Sequence, residues 1–186
     1  VNIPNALTIV RFALIPAIIV LLYSKDPRLV LLSTGVFLVA AFTDWLDGTI
    51  ARKYKLITRF GTFFDPLADK LLILSMFFVL VDLEIIPLWV VLLILARELV
   101  VTDIRNACST NKKVVGANWM GKTKFILQTL LILYLQLVLY VQRANMPSAI
   151  FTIPIAYYAT VGVTVVSLLF AINFAYWHRK ELFAGL

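Results

Sequence analysis

Six long apolar stretches, separated by short polar connections, constrain this chain more than any other feature of its sequence. They run approximately over Ala6–Tyr23, Leu29–Ile50, Thr62–Val81, Ile86–Cys108, Trp119–Val141 and Ser148–Tyr176. A helix of roughly 20 apolar residues crosses a hydrocarbon core about 30 Å thick, so each stretch reads as a membrane span. The separators carry turn chemistry, as in Ser24-Lys25-Asp26-Pro27 and Asp82–Pro87. No alternating strand pattern recurs, which argues against a transmembrane barrel. Composition agrees: 62% of residues are hydrophobic and 15% charged, against about 25% charged in a soluble domain. Soluble enzymes, coiled coils and disordered tails are excluded on that ground. The expected fold is an all-α integral membrane protein, one domain over residues 1–186, with six transmembrane helices. The first stretch lacks a preceding basic region and a small-residue cleavage site, so it reads as a retained span and not as a signal peptide.

Six crossings would put both termini on one side. With the N-terminus inside, the inner segments carry ten basic residues (Arg52, Lys53, Lys55, Arg59, Lys112, Lys113, Lys122, Lys124, Arg179 and Lys180) and the outer ones three (Lys25, Arg28 and Arg143). Excess Lys and Arg mark the cytoplasmic side, so both termini are expected there. The net charge of +7 then fits cytoplasmic loops, anionic headgroups or a phosphorylated substrate, with no call for nucleic acid. Cys108 is the only cysteine, so no intrachain disulfide forms.

Charges inside apolar stretches are expensive and therefore informative. Here they are Asp44, Asp47, Asp65, Asp69, Lys70, Arg97, Glu98, Asp103 and Arg105. On the expected topology they converge in the inner halves of the second, third and fourth helices, forming a polar cavity open to the cytoplasm. Asp44 and Asp47, at i and i+3, share a helix face with the small Gly48 and Ala51, and Arg52 follows. Gly61, Asp65 and Asp69 follow an i, i+4, i+8 register, although Pro66 suggests a helix that starts near Asp65 or kinks there. The short connection 53–60 makes the two helices antiparallel neighbours. Four carboxylates in one low-dielectric pocket require cations, and all-oxygen ligands favour Mg²⁺, Mn²⁺ or Ca²⁺. With the small-residue shelf and Arg52, such a site suits a pyrophosphate-bearing ligand with a flat nucleotide. The competing readings are helix caps, a carboxylate-lined cation transporter and a non-catalytic membrane scaffold.

The stretch Asp44–Asp69 reads D-W-L-D-G-T-I-A-R-(x8)-G-T-F-F-D-P-L-A-D. It resembles the signature of the CDP-alcohol phosphatidyltransferases, D-x2-D-G-x2-A-R-x8-G-x3-D-x3-D, at all eight fixed positions over 26 residues. The resemblance implies a CDP-linked lipid bound through its pyrophosphate to Mg²⁺ or Mn²⁺, one or two ions. An alcohol attacks the phosphorus bearing the diacylglycerol, and CMP leaves. It implies Asp44, Asp47, Asp65 and Asp69 as metal ligands, with Asp69 also the general base. Gly48, Ala51 and Gly61 would make room for the cytidine, and Arg52 would contact the nucleotide phosphates.

The acceptor is addressed by the fourth and fifth helices. Arg97 and Arg105 lie eight residues apart, about two turns, and Lys122 and Lys124 follow Gly121. Together they suggest a basic pocket, which favours a phosphorylated alcohol. The alternatives are flanking charges for the two lysines and, for Arg97, a salt bridge to Glu98 or Asp103. The stretches A-R-E-L-V-V-T-D-I-R (96–105), G-K-T-K-F-I-L-Q (121–128) and I-P-N-A-L-T-I-V-R (3–11) are similar to those of family members that use sn-glycerol 3-phosphate. That resemblance implies CDP-diacylglycerol and sn-glycerol 3-phosphate as substrates, with Arg97, Arg105 and Lys122 on the acceptor phosphate. Inositol phosphate, serine and phosphatidylglycerol are the alternative acceptors. It also suggests a homodimer among membrane lipids, in a bacterial cytoplasmic membrane. The segment Asn2–Arg11 reads as interfacial, placed to shape a lateral lipid entrance or, equally, as a helix start capped by Asn5 with Arg11 snorkelling.

Overall fold

The computed structural model describes residues 3–54, 59–110 and 119–182, and within them the side chains of 6–43, 61, 64–105, 121–177 and 179. The described chain forms six α-helices: α1 (Ile3–Tyr23), α2 (Pro27–Tyr54), α3 (Arg59–Asp82), α4 (Leu88–Thr110), α5 (Trp119–Arg143) and α6 (Ile153–Leu182). The all-α class and the order of the helices agree with the sequence.

The six-span expectation does not hold. Among the described residues three helices are long and apolar enough to cross a bilayer: Ala6–Tyr23 of α1, Gly121–Arg143 of α5 and Ile153–Trp177 of α6. In α3 and α4 charge is the reason: Asp65, Asp69 and Lys70 break the apolar run of α3, and Arg97, Glu98, Asp103 and Arg105 break that of α4. In α2 the apolar stretch among the described residues is Pro27–Thr43. The placing of both termini, and of a cavity mouth, on the cytoplasmic side rested on six crossings and falls with them. The three apolar helices still make this an integral membrane protein. Leu32, Val39, Phe42, Ile126, Leu130 and Leu169 all face outward, a degree of apolar exposure that suits lipid far better than water.

One hydrophobic core holds the helices together. It takes Ile18 and Leu22 from α1, Val30 and Phe37 from α2, and Leu72, Met76 and Leu80 from α3. Ile94 of α4, Ile132 and Leu135 of α5 and Ala156 of α6 complete it. These positions recur at helical spacing, so each helix buries one stripe. α1 packs against α2 and α3, α4 against α3 and α6, and α5 against α2, α3 and α6. Two buried hydroxyls in α6 are satisfied locally: Thr160 Oγ1 donates to the Ala156 carbonyl (2.6 Å) and Thr164 Oγ1 to that of Thr160 (2.8 Å).

Several helix boundaries shift from those expected, for local reasons. α3 begins at Arg59 and passes through Pro66, so Gly61, Asp65 and Asp69 stand in one helix. α6 starts at Ile153 rather than Ser148, because Ser148 Oγ instead accepts the N–H groups of Ile150 (3.3 Å) and Phe151 (3.0 Å). Pro154 then falls in the first turn, where its missing N–H costs nothing. α3 and α5 end in paired 6→1 and 5→2 backbone bonds around Glu84 (φ 57°) and Asn145 (φ 51°). That is the Schellman geometry, usually built on Gly or Asn.

Candidate active site

The carboxylate face of α3 is met by α1. Asp65 and Asp69 stand one turn apart on α3. Thr8 and Arg11, likewise about one turn apart on α1, are fully buried. Thr8 Oγ1 donates to Asp65 Oδ1 at 2.5 Å, and Arg11 Nη1 donates to Asp69 Oδ1 at 2.9 Å. Phe12 packs edge-on against Phe64, ring centroids 6.3 Å apart, beside these bonds. Arg11 therefore does not snorkel. Its guanidinium turns inward because an ionised partner waits there, and a paired buried charge is tolerable where an isolated one is not.

Asp69 also borders a cavity of about 50 Å³, lined with it by Lys70, Ile73, Leu74, Glu98, Lys124 and Phe125. This is room enough for a few water molecules. Lys70 Nζ donates to Thr102 Oγ1 at 2.6 Å, tying α3 to α4. Across the cavity Glu98 is shared between two cations. Its Oε1 accepts from Arg97 Nη1 at 2.7 Å and pairs with Lys124 Nζ of α5. Burial alone would push the Glu98 carboxyl up, but Lys124 and Arg97 outweigh it and hold the group below the usual glutamate range.

The expected site residues separate into three groups. Asp44, Asp47, Gly48, Ala51 and Arg52 all belong to the single helix α2, and their side chains lie outside the described residues. Gly61 is buried in α3, near Asp65 and Asp69 in the same helix. The acceptor set divides by burial. Arg97 is buried, its Nε donating to the Ser167 carbonyl of α6 at 3.3 Å, so the salt-bridge reading of Arg97 is the one realised. Arg105 and Lys122 are exposed. Arg105 lies over the start of α5, where a Cβ added to Gly121 would stand 3.9 Å from its Nη2. The cations that share a cavity with Asp69 are instead Lys70 and Lys124. In the sequence Thr8 and Arg11 stood out only as polar residues, with Asn5, in the apolar segment Asn2–Arg11.

Among the described residues, no group of three or more His, Cys, Asp or Glu side chains could hold a metal ion. Asp65 and Asp69 are hard oxygen donors of the kind Mg²⁺ and Mn²⁺ take, and their helix packs against α2, which carries Asp44 and Asp47. Donor chemistry and helix neighbourhood fit such an ion, with the α2 carboxylates needed to complete its ligand set.

Comparison with known proteins agrees with the signature. The CDP-alcohol phosphatidyltransferase family model matches residues 1–177. The chain is 35% identical over 181 residues to a CDP-diacylglycerol–glycerol-3-phosphate 3-phosphatidyltransferase of Bacillus subtilis, covering 89% of this chain and 91% of that one. A Rickettsia bellii protein of the same name is 44% identical over 130 residues, covering 68% and 70%. A CMP-forming cardiolipin synthase of Oryza sativa subsp. japonica is 42% identical over 137 residues, covering 66% of this chain and 42% of the rice protein. The signature on α2 and α3, set in this helical membrane fold and matched along nearly the whole chain, makes the protein an enzyme of the CDP-alcohol phosphatidyltransferase family.

Proposed function

We propose that the enzyme transfers the phosphatidyl group of CDP-diacylglycerol to sn-glycerol 3-phosphate, giving phosphatidylglycerol phosphate and CMP. The observation that carries this reading is the cavity in which the Asp69 carboxylate stands beside Lys70 and Lys124. A proton acceptor next to two cations suits an alcohol that bears a phosphate. The names of the Bacillus and Rickettsia relatives point to the same acceptor.

In this reading Asp69 takes the proton of the acceptor hydroxyl. The hydroxyl oxygen bonds to the phosphorus bearing the diacylglycerol, and the bond from that phosphorus to the CMP oxygen breaks, its electron pair leaving with CMP. Lys70 and Lys124 hold the acceptor phosphate, with Arg105 and Lys122 drawing it in from the start of α5. Arg97 acts indirectly, by keeping Glu98 in place. Asp44, Asp47, Asp65 and Asp69 would hold Mg²⁺ or Mn²⁺, which when bound offsets pyrophosphate charge. Gly48, Ala51 and Gly61 leave room for the cytidine, and Arg52 reaches its phosphates. The protein works as a single catalytic domain in a bacterial cytoplasmic membrane, and two copies associate.

The direct test is CMP release from CDP-diacylglycerol by the purified protein in detergent. Release is expected with sn-glycerol 3-phosphate and Mg²⁺, and should be lost on chelation with EDTA and restored by excess Mg²⁺. Phosphatidylglycerol is the second acceptor to try, favoured by the likeness to the rice cardiolipin synthase. Release with phosphatidylglycerol alone would overturn the glycerol phosphate assignment, and release undiminished by EDTA would overturn the metal.

Lys124→Met should raise the acceptor KM by about 10-fold or more, the worth of one charge-assisted hydrogen bond to phosphate. The CDP-diacylglycerol KM should stay within about 3-fold. Glu98 keeps Arg97 as a partner in this variant, so gross misfolding is not expected. An unchanged acceptor KM would remove Lys124 from the pocket.

A further inference from the structure

The family signature lies wholly on α2 and α3, yet the described carboxylates of α3 are held from a third helix. From this we infer that Thr8 and Arg11 of α1 are positioning residues of the active site, setting the rotamers of Asp65 and Asp69. This rests on the reading of Asp69 as the base. The geometry is specific. Two polar side chains, about one turn apart on α1, meet two carboxylates one turn apart on α3, rung to rung, at 2.5 Å and 2.9 Å. Thr8 and Arg11 are both completely buried, inside a helix whose other residues make it apolar enough to cross a membrane. Each is bonded to Oδ1 of its carboxylate. A carboxylate tethered through one oxygen cannot rotate freely about its terminal torsion, so the direction of its other oxygen is set as well.

The chemistry needs such fixing. A base acts only within hydrogen-bond reach of the proton it takes, and a displacement of about 1 Å can cost on the order of 100-fold in rate. Asp69 is half-exposed to the cavity while its tether is fully buried: the side chains are 31% and 0% exposed respectively. The rigid partner therefore sits behind the reactive one. The Phe12–Phe64 contact keeps α1 seated on α3 at this level, so a change at Thr8 or Arg11 need not move the helices.

Four variants test this. Arg11→Met should lower kcat about 100-fold with both KM values within about 3-fold of wild type, and Arg11→Lys should restore part of the loss, since a shorter cation still reaches toward Asp69. Thr8→Val should weaken Mn²⁺ binding by the purified protein about 10-fold, read by the free-ion resonance signal, and Thr8→Ser should restore it. If Thr8→Val and Thr8→Ser bind Mn²⁺ equally weakly, the hydroxyl does nothing and the pair is packing. If Arg11→Met turns over like wild type while Asp69→Asn is inactive, the inference fails and the proposed function stands. Should Arg11→Met not fold, the Thr8 pair and Arg11→Lys decide the matter alone: a folded Arg11→Lys should show a partly reduced kcat with both KM values near wild type, and wild-type kcat in Arg11→Lys together with unchanged Mn²⁺ binding by Thr8→Val would overturn the inference.

Discussion

Asp69→Asn should lose turnover by about 10²- to 10⁴-fold, the usual contribution of a placed general base, while binding of CDP-diacylglycerol, for which Asp44, Asp47 and Asp65 would still hold the metal, changes by less than about 3-fold. The substitution is nearly isosteric. The Asn carboxamide oxygen still accepts from Arg11 Nη1, so the 2.9 Å bond and the packing of α1 on α3 survive. What is lost is the ability to take a proton at the wall of the cavity shared with Lys70 and Lys124. Melting temperature, donor affinity and kcat measured on one preparation separate the cases. Turnover within about 3-fold of wild type would place the base elsewhere. Equal loss of donor affinity and turnover would make Asp69 a binding residue only.

The chemistry was more legible in the sequence than the membrane topology was. Helices are set by local periodicity, and their ends moved by only a few residues, for reasons such as the Ser148 turn that depend on single side chains. The signature was legible because spacing on a helix fixes a face: Asp65 and Asp69 are one turn apart whatever surrounds them. The number of spans was not legible in the same way. An apolar stretch that carries four charges, as α4 does, satisfies a length test and fails a charge test, and counting the one without the other gave six. Partners in tertiary space were hidden as well. Arg11 reads as an interfacial cation when only α1 is in view, because the carboxylate that draws it inward lies 58 residues away. Arg97 reads equally as a phosphate ligand or a salt-bridge partner, and only the fold shows its Nε turned to α6. Lys124 and Lys122 are two residues apart and so point to different sides of α5. Sequence offered no way to choose which of them faces Asp69.

The buried ion cluster around Glu98 should prove the most sensitive point of the fold. Glu98→Leu removes the one anion shown between Arg97 and Lys124, whose side chains are 6% and 13% exposed. Lys124 borders the cavity and can turn into it. Arg97 cannot follow, because its Nε is held at the Ser167 carbonyl. Breaking a buried pair by removing one partner typically costs about 3–5 kcal/mol, and for a chain of this size each kcal/mol lowers Tm by roughly 2–4 °C. A drop on the order of 10 °C in detergent is therefore expected. Adding Arg97→Met should recover much of it, because a buried pair replaced by apolar side chains is often neutral. The double-mutant cycle should then show a coupling of at least about 1 kcal/mol. The pH dependence follows from the same pair. A carboxyl held below its unfolded value adds stability above that value and loses it as pH falls through the folded one. The gap between wild type and Glu98→Leu should accordingly be full at neutral pH and close below about pH 4, under the ordinary glutamate value of about 4.3. A Glu98→Leu protein as stable as wild type at pH 7 would mean that Arg97 and Lys124 find other anions, and that α4, α5 and α6 are held by apolar packing alone.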